Sequence, residues 1–450
     1  MSESVALFEG GTPEGPGEAL GAYRAAISRL GPGSALRFHV DPANLGLLSR
    51  AAREAPAAGA GPVEVVLRAR DLAFDRTEVE AEGALAPALR RLVDGAPPGR
   101  APALRLSNGR RYALPPPALD VSTNDLCGLR CVMCNNRAPR RDPLTMRAEH
   151  VRALLAEAAA WGVRRVALTG AGEPFRDPNM LAHVRYANGL GHLVTITTNG
   201  FPLSEAVAEE LGAATASVSV SIHGARDETH DRIAGVPTAA EHAWRAVRRL
   251  VAARERGGGR GKSKLSAQVS AVVQQGNLGE IADLVRRARD EGCDGVNLQP
   301  VNVQHGAFRG DAIVRRDDLV AASRLLPGAD RARELDALFD ELAGLRREFG
   351  PFVHADEARL GLLRAYFRDS SKAALGVGCR VGDRFLAVDH RGRIKPCYRL
   401  PWSLGDAREL PPRLVWNSRA YERVRRQVDA CPLTCLNNCF FRGDRPGAGA

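Results

Sequence analysis

Apolar and polar positions alternate in a regular way over the middle of the chain. Short apolar runs recur at residues 118–122, 165–169, 193–197, 216–222, 265–273 and 296–299. Between them lie longer stretches, at 148–161, 179–190, 204–213, 239–256 and 278–291, whose apolar residues repeat with the helical period. A strand followed by a helix, repeated in this way, predicts parallel βαβ units with right-handed crossovers. Six such units predict an α/β fold, a partial (β/α)6 barrel open on one side, better than a closed eightfold one.

The flanks read differently. Residues 1–115 suggest a separate small α/β domain, with helices at 18–30, 43–55 and 85–93 and strands at 35–40 and 63–69. A hairpin is expected over 104–114, turning at Asn108-Gly109. Gly/Pro/Ala joints at 96–99 and 115–117 close this module, whose role is unknown. The barrel then occupies 116–325. Helices at 331–348 and 355–367 make a linker over 326–370, and 371–450 form a last, cysteine-bearing domain. Residues 257–261 read as a flexible basic loop, and the Gly/Pro/Ala tail after Arg442 is expected to fray.

Composition narrows the function. A length of 450 residues fits two or three domains, and 44% hydrophobic content supports real cores. No run approaches the roughly 20 apolar residues that span a bilayer, and no basic segment leads into an apolar one at the start. A cytoplasmic protein without membrane partners is expected. The net charge of +11 comes almost wholly from arginine, with pairs such as Arg248-Arg249 and Arg286-Arg287 on polar helix faces. There is no long Lys/Arg block and no aromatic-studded basic strand, so nucleic acid is not an expected partner.

The nine cysteines carry the chemistry. Three lie between Cys127 and Cys134, one stands alone at Cys293, and five fall between Cys379 and Cys439. In a reducing compartment, clustered thiols point to metal ligation and not to disulfides. The first group reads Cys127-Gly128-Leu129-Arg130-Cys131-Val132-Met133-Cys134, directly after the first barrel strand. One loop with this spacing can place three thiolates on three irons of a four-iron cluster, which ordinarily takes four. The missing ligand leaves one iron open to a small molecule. A structural zinc site, the alternative, wants four closed ligands, and no fourth Cys or His is near in sequence.

This CxxxCxxC loop inside a βα6 pattern resembles the radical S-adenosylmethionine (SAM) superfamily. Three more segments are similar to that family's motifs: Gly170-Ala171-Gly172-Glu173-Pro174 after the second strand, Thr197-Thr198-Asn199-Gly200 after the third, and Ser219-Val220-Ser221-Ile222-His223-Gly224 at the fourth. The resemblance implies that SAM chelates the open iron and that Cys127, Cys131 and Cys134 hold the catalytic [4Fe–4S] cluster. It also implies that Met133 packs near adenine, that Gly170, Ala171, Gly172 and Glu173 line the SAM amino group, and that Asn199, Ser221 and Gln299 face cofactor. Relatives often place an Arg before a Gly shortly after strand four to hold the SAM carboxylate. Here the place reads Ile233-Ala234-Gly235, with Arg232 the candidate substitute.

The second group opens with Cys379, then Gly392-Arg393-Ile394-Lys395-Pro396-Cys397, and closes with Cys431, Cys435 and Cys439. It resembles the SPASM and twitch auxiliary-cluster domains, as does Trp416-Asn417-Ser418. Seven cysteines would be needed for two clusters. Five imply one auxiliary [4Fe–4S] cluster, held by Cys379, Cys397 and two of Cys431, Cys435 and Cys439. A four-thiolate zinc site is the alternative here. The fifth cysteine is either a buried bystander or, if close to SAM, a hydrogen-atom donor or acceptor. Cys293, before strand six, reads as packing. His223, Asn199, Asn297 and Gln299 lie at the strand ends where barrels do chemistry, while His230 and Asp231 read as structural residues of a loop.

The resemblance thus implies an oxidoreductase that cleaves SAM reductively and abstracts a substrate hydrogen. An auxiliary cluster would assist net oxidation or bond formation on a ribosomally made peptide or a natural-product small molecule. Its electrons would come from a reductase, flavodoxin or ferredoxin. The reading from another class is a non-catalytic iron–sulfur carrier or scaffold.

Overall fold

The computed structural model describes residues 5–8, 35–40, 63–67, 103–106, 113–134, 144–169, 171–303, 306–309, 312–315, 324–371, 375, 379, 381–400 and 402–436. Four N-terminal strands, β1 (Val5–Phe8), β2 (Ala35–Val40), β3 (Val63–Leu67) and β4 (Ala103–Leu106), make an all-parallel sheet in chain order. Sequence reading did not find β1. The helices expected at 18–30, 43–55 and 85–93 lie outside the described residues, as do the C-terminal tail and the Asn108-Gly109 turn. Of the hairpin expected over 104–114, residues 107–112 lie outside the described residues, and residues 103–106 form β4, parallel to β3.

The barrel follows the expected alternation. Its elements are β5 (Ala118–Ser122), α1 (Ala148–Ala160), β6 (Arg165–Thr169), α2 (Met180–Gly189), β7 (Leu193–Thr198), α3 (Glu205–Gly212) and β8 (Ala216–Ser221). Then come α4 (Asp227–Ala234), α5 (Ala239–Arg256), β9 (Leu265–Val273), α6 (Ile281–Asp290) and β10 (Gly295–Pro300). Strands β5 to β10 are parallel neighbours in chain order. Helix α4 corrects the sequence reading, which put His230 and Asp231 in a loop. Asp231 accepts hydrogen bonds from the backbone N–H groups of Thr238 and Ala240, 2.8 Å each, and so starts α5.

A small antiparallel pair, β11 (Gly306–Arg309) and β12 (Ala312–Arg315), precedes helices α7 (Ala332–Phe349) and α8 (Glu357–Arg368). The last section holds α9 (Val381–Arg384), β13 (Phe385–Val388), β14 (Ile394–Lys395), α10 (Pro412–Trp416) and α11 (Arg419–Asp429). Strand β13 lies parallel to β5, with Leu386 opposite Leu119 and Val388 opposite Val121. The sheet therefore has eight strands instead of the six expected, and the cluster-bearing section continues it. Antiparallel β14 forms the far edge.

The strands are two-faced. Val166, Leu168, Val194, Ile196, Val218 and Val220 are buried, in one core with Leu155, Trp161 and Trp244 of the helix layer. On the alternate face stand Asp120, Thr169, Thr195, Ser217, Ser219, Ser221, Gln268, Asn297 and Gln299, all partly accessible. Period-two alternation puts these on the concave side. A closed TIM barrel fills its interior with bulky branched side chains, whereas this half-barrel keeps small polar ones there.

The Trp416-Asn417 segment ties the last section down. Trp416 Nε1 donates to Leu114 O at 2.8 Å, and Asn417 both accepts from Ala113 N (2.9 Å) and donates to Ala113 O (3.1 Å). Trp416 also meets Trp161 edge-on at 6.0 Å. Among the described residues no helix is long and apolar enough to cross a membrane.

Candidate functional site

The loop after β5 carries Cys127 and Cys134, both exposed, and Cys131, half-buried. Its course is set by backbone hydrogen bonds to three neighbours. Thr123 N donates to Thr169 O at the end of β6 (3.0 Å), and Arg130 N and Val132 N donate to Ala234 O and Ile233 O at the end of α4, 2.9 Å each. Gly235, which ends α4 in the left-handed conformation at φ 73°, sits so close that a Cβ there would lie 2.9 Å from Arg130 O. The exposed thiols thus ride on a fixed backbone. Leu129 N donates to Cys127 Sγ at 3.4 Å and Asn199 Nδ2 at 3.7 Å. Burial pushes the Cys127 thiol up, and these two donors pull the other way, toward the thiolate that iron needs.

The glycine-rich segment after β6 braces this loop. Gly170 lies outside the described residues. Ala171 N donates to Ser122 Oγ at 2.8 Å. A Cβ on Gly172 would stand 2.1 Å from Leu126 O and 2.4 Å from Leu126 N, so only glycine lets the two segments cross. Glu173 is buried, and its carboxylate accepts from Thr198 Oγ1 (2.5 Å), Asn199 N (2.7 Å) and Phe175 N (3.3 Å). Burial pushes its carboxyl up to about 7 against those donors. The side chain is occupied within the protein: it fixes the end of β7, and with it the Asn199 amide beside Cys127. Met133 is half-buried against the main core.

Ser221 and Gln299 share the concave face with Asn297. His223 does not. It is buried, its Nδ1 accepts from Val272 N at 3.2 Å, its own N–H donates to His230 Nδ1 at 3.0 Å, and burial pushes its imidazole down to about 3. Such a ring is a neutral structural group. Arg232 donates to Gly276 O at 2.8 Å. Cys293 is buried, its thiol pushed up to about 12 by desolvation, and Arg260 of the Gly-rich loop is paired with neighbouring Asp294 at 3.0 Å.

Sequence reading missed Asp120. It faces the concavity, and its Oδ1 accepts from Thr169 Oγ1 (2.6 Å) and from Tyr398 O–H (2.7 Å). Burial pushes its carboxyl from the ordinary 3.8 to about 6, against both hydroxyls. Its place between apolar Leu119 and Val121 was the available signal.

Tyr398 follows Cys397 directly, and so links the concave face to the second thiol group. Cys397 and Cys431 are buried in an apolar cluster with Val381, Phe385, Leu400 and Leu433, and Cys379 and Cys435 pack against it. The charges of Cys435, Cys379 and Cys431 all bear on Cys397, whose thiol burial pushes far up. The structure thus brings these four together. Cys439 lies outside the described residues. Among the described residues, no three Cys, His, Asp or Glu side chains converge on one point as the ligands of a single ion would. A four-iron cluster does not ask for that, because each thiolate binds its own iron at a separate corner. Two thiol groups on firm supports, one open and short of a ligand and one closed and apolar, suit two such clusters of different kinds.

Comparison with known proteins agrees. Residues 121–258 match the radical SAM superfamily, and residues 379–440 match an iron–sulfur cluster-binding domain, SPASM. An AdoMet-dependent heme synthase of Methanosarcina barkeri is 27% identical over 312 residues, 66% of this chain and 82% of that protein. The mycofactocin maturase MftC of Mycobacterium ulcerans is 30% identical over 163 residues, 36% of this chain and 41% of the maturase. Among solved structures, Streptococcus suis SuiB bound to S-adenosylmethionine superposes with a TM-score of 0.53 at 18% identity, over 69% of this chain and 68% of that one. Native anSMEcpe with bound AdoMet gives 0.50 at 14% identity, over 68% and 81%. At such identities the likeness concerns the fold. A radical SAM domain works with a [4Fe–4S] cluster and SAM, and a SPASM domain with auxiliary iron–sulfur centres, so these are the cofactors of this chain. The chain thus carries a radical SAM domain over residues 121–258 and a SPASM iron–sulfur cluster-binding domain over residues 379–440.

Proposed function

We propose that this enzyme carries out a net oxidation or bond-forming reaction on a ribosomally made peptide or a polar small molecule. The observation that carries the reading is the junction at Asp120, where the polar concave face, the strand leading to the first cysteines and the loop of Cys397 meet. The cofactors, when bound, supply a 5′-deoxyadenosyl radical that removes a substrate hydrogen, and an auxiliary centre that takes up the electron left behind. The protein contributes the rest. Cys127, Cys131 and Cys134 would hold the first cluster, and Cys379, Cys397, Cys431 and Cys435 the second. Met133 packs on the adenine, and Gly170 and Ala171 offer backbone to the SAM amino group. Asn199, Ser221 and Gln299 bind SAM from the strand ends, while Gly172 and Glu173 hold the loop and Asn199 in place.

Oxidation of a C–H next to an O–H or N–H releases a hydrogen atom, an electron and a proton. Asp120, with its carboxyl near 6 and both hydroxyl donors on one oxygen, is fitted to take the proton. Hydroxyl and amide groups along the concave face suit a substrate with many hydrogen-bonding groups. SuiB has been crystallised with its precursor peptide SuiA, which supports the peptide alternative. Residues 1–115 would then serve as a recognition module. A flavodoxin, ferredoxin or dedicated reductase would supply electrons.

Anaerobic reconstitution with iron and sulfide, followed by SAM and reductant, tests the reading. The expected product is 5′-deoxyadenosine, abolished in Cys127→Ala. No product with any low-potential reductant would favour the non-catalytic carrier.

A further inference from the structure

Arg399 is anomalous in its surroundings. Its Nη1 is buried and has no hydrogen-bond partner. Among the described residues no carboxylate lies within ion-pair distance of it, whereas Arg254, Arg413 and Arg425 each have one and Arg346 is spent on backbone carbonyls. The residue as a whole is half-buried, so the cost falls on that one nitrogen, and an anion beside it would offset the loss of water there. Arg399 stands two places after Cys397, and its backbone N–H donates to Cys397 Sγ at 3.2 Å. Asn302, just past the end of β10, donates to Cys435 O at 3.0 Å from the barrel side.

Four thiolates around a [4Fe–4S] core leave an assembly with net negative charge, and one-electron reduction makes it more negative still. A fixed positive charge beside it stabilises the reduced form more than the oxidised one. Net charge, hydrogen bonds to sulfur and solvent exposure are what set such potentials.

We propose that Arg399 is the counter-cation of the auxiliary cluster, its orphaned Nη1 turned toward cluster sulfur, and that it raises the cluster's reduction potential so that the centre accepts an electron from the substrate side. This rests on the assignment of Cys379, Cys397, Cys431 and Cys435 as its ligands. Arg399 is a positioning residue in this scheme. It touches the cluster and not the substrate, so its effect is read in the potential before any turnover is measured.

The test is a potentiometric titration followed by electron paramagnetic resonance on the reconstituted full-length chain. A Cys127→Ala/Cys131→Ala/Cys134→Ala background assigns the signal to the auxiliary centre. Arg399→Gln should keep its iron and shift the midpoint to more negative potential, by roughly tenfold in the reduced-to-oxidised ratio, about 59 mV for one electron. Arg399→Lys should shift it less. Loss of iron from the Gln variant with retention in the Lys variant would also support a charge role. An unchanged midpoint in an iron-replete Gln variant overturns the proposal. So does loss of iron from both variants, since shape and not charge would then hold the site. Failure of the ligand assignment looks different: Cys397→Ala would then carry as much iron as the parent.

Discussion

Substituting Gly172 with alanine should disconnect the glycine-rich segment from the cysteine loop. The added Cβ would lie 2.1 Å from Leu126 O, 2.4 Å from Leu126 N and 2.5 Å from Asp125 C. All three are backbone atoms, so no side chain can swing aside. Real Cβ atoms essentially never come closer than 3.0 Å, so the two segments must part by about 0.9 Å at least, a strain of the overpacking kind that runs to roughly 1–3 kcal/mol. Two supports oppose that movement, the bonds from Gly172 N to Asn124 O (3.2 Å) and from Glu173 N to Leu126 O (2.6 Å). Leu126 immediately precedes Cys127, so the displacement falls on the first thiol. A misplacement of about 1 Å near reacting groups lowers rates on the order of 100-fold. The assay is iron content and 5′-deoxyadenosine formation after anaerobic reconstitution, with circular dichroism to establish that the variant is folded. Gly172→Ala should remain folded, lose iron from the first cluster and make little 5′-deoxyadenosine. A folded variant with parental iron and parental SAM cleavage would show that the crossing at Leu126 does not control the site.

Further perturbations follow from the same geometry. Asp120→Asn should stabilise the protein above pH 6 and change little below pH 4. The folded-state pKa is raised from 3.8 to about 6, so the group's contribution is fully present below the lower value and is lost as pH rises through the upper one. The gain at pH 8 is roughly 3 kcal/mol at most, and melting temperatures at pH 4 and pH 8 check it; an equal gain at both would refute the assignment. Gly235→Ala should destabilise by about 1 kcal/mol or more, because φ 73° and the 2.9 Å approach to Arg130 O both resist a side chain, and denaturant titration reads it. Cys397→Ala should lose about half of the iron, while Cys293→Ser should keep all of it; equal iron in the two would contradict the division between ligand and packing thiols.

Elements with a clean period were legible in the sequence. Strands β5, β6 and β9 have the expected bounds, and in β6 buried and accessible residues alternate without interruption. Helix α4 escaped because Asp227–Ala234 is mostly polar, its buried side being only Thr229, His230, Ile233 and Ala234. Strand β13 escaped because Phe385–Val388 is buried throughout and so shows no period, and because its partner β5 lies far away in sequence. The cysteine spacing announced both thiol groups. It could not say which late cysteines join Cys379 and Cys397, since that depends on how the chain returns after α11. Gly172 was visible as a glycine, but its reason is the backbone of Leu126, a tertiary contact that no local pattern encodes. His223 looked like a strand-end site residue until its partners, Val272 N and His230, were known.

The proposed chemistry needs one iron left without a protein ligand in the loop of Cys127, Cys131 and Cys134. Mössbauer spectroscopy of the protein reconstituted with 57Fe, in a background without the auxiliary cysteines, addresses that iron directly. Adding SAM should move one iron site in four to parameters of higher coordination and leave the other three unchanged. Four sites indifferent to SAM, or zinc in place of iron, would contradict the account.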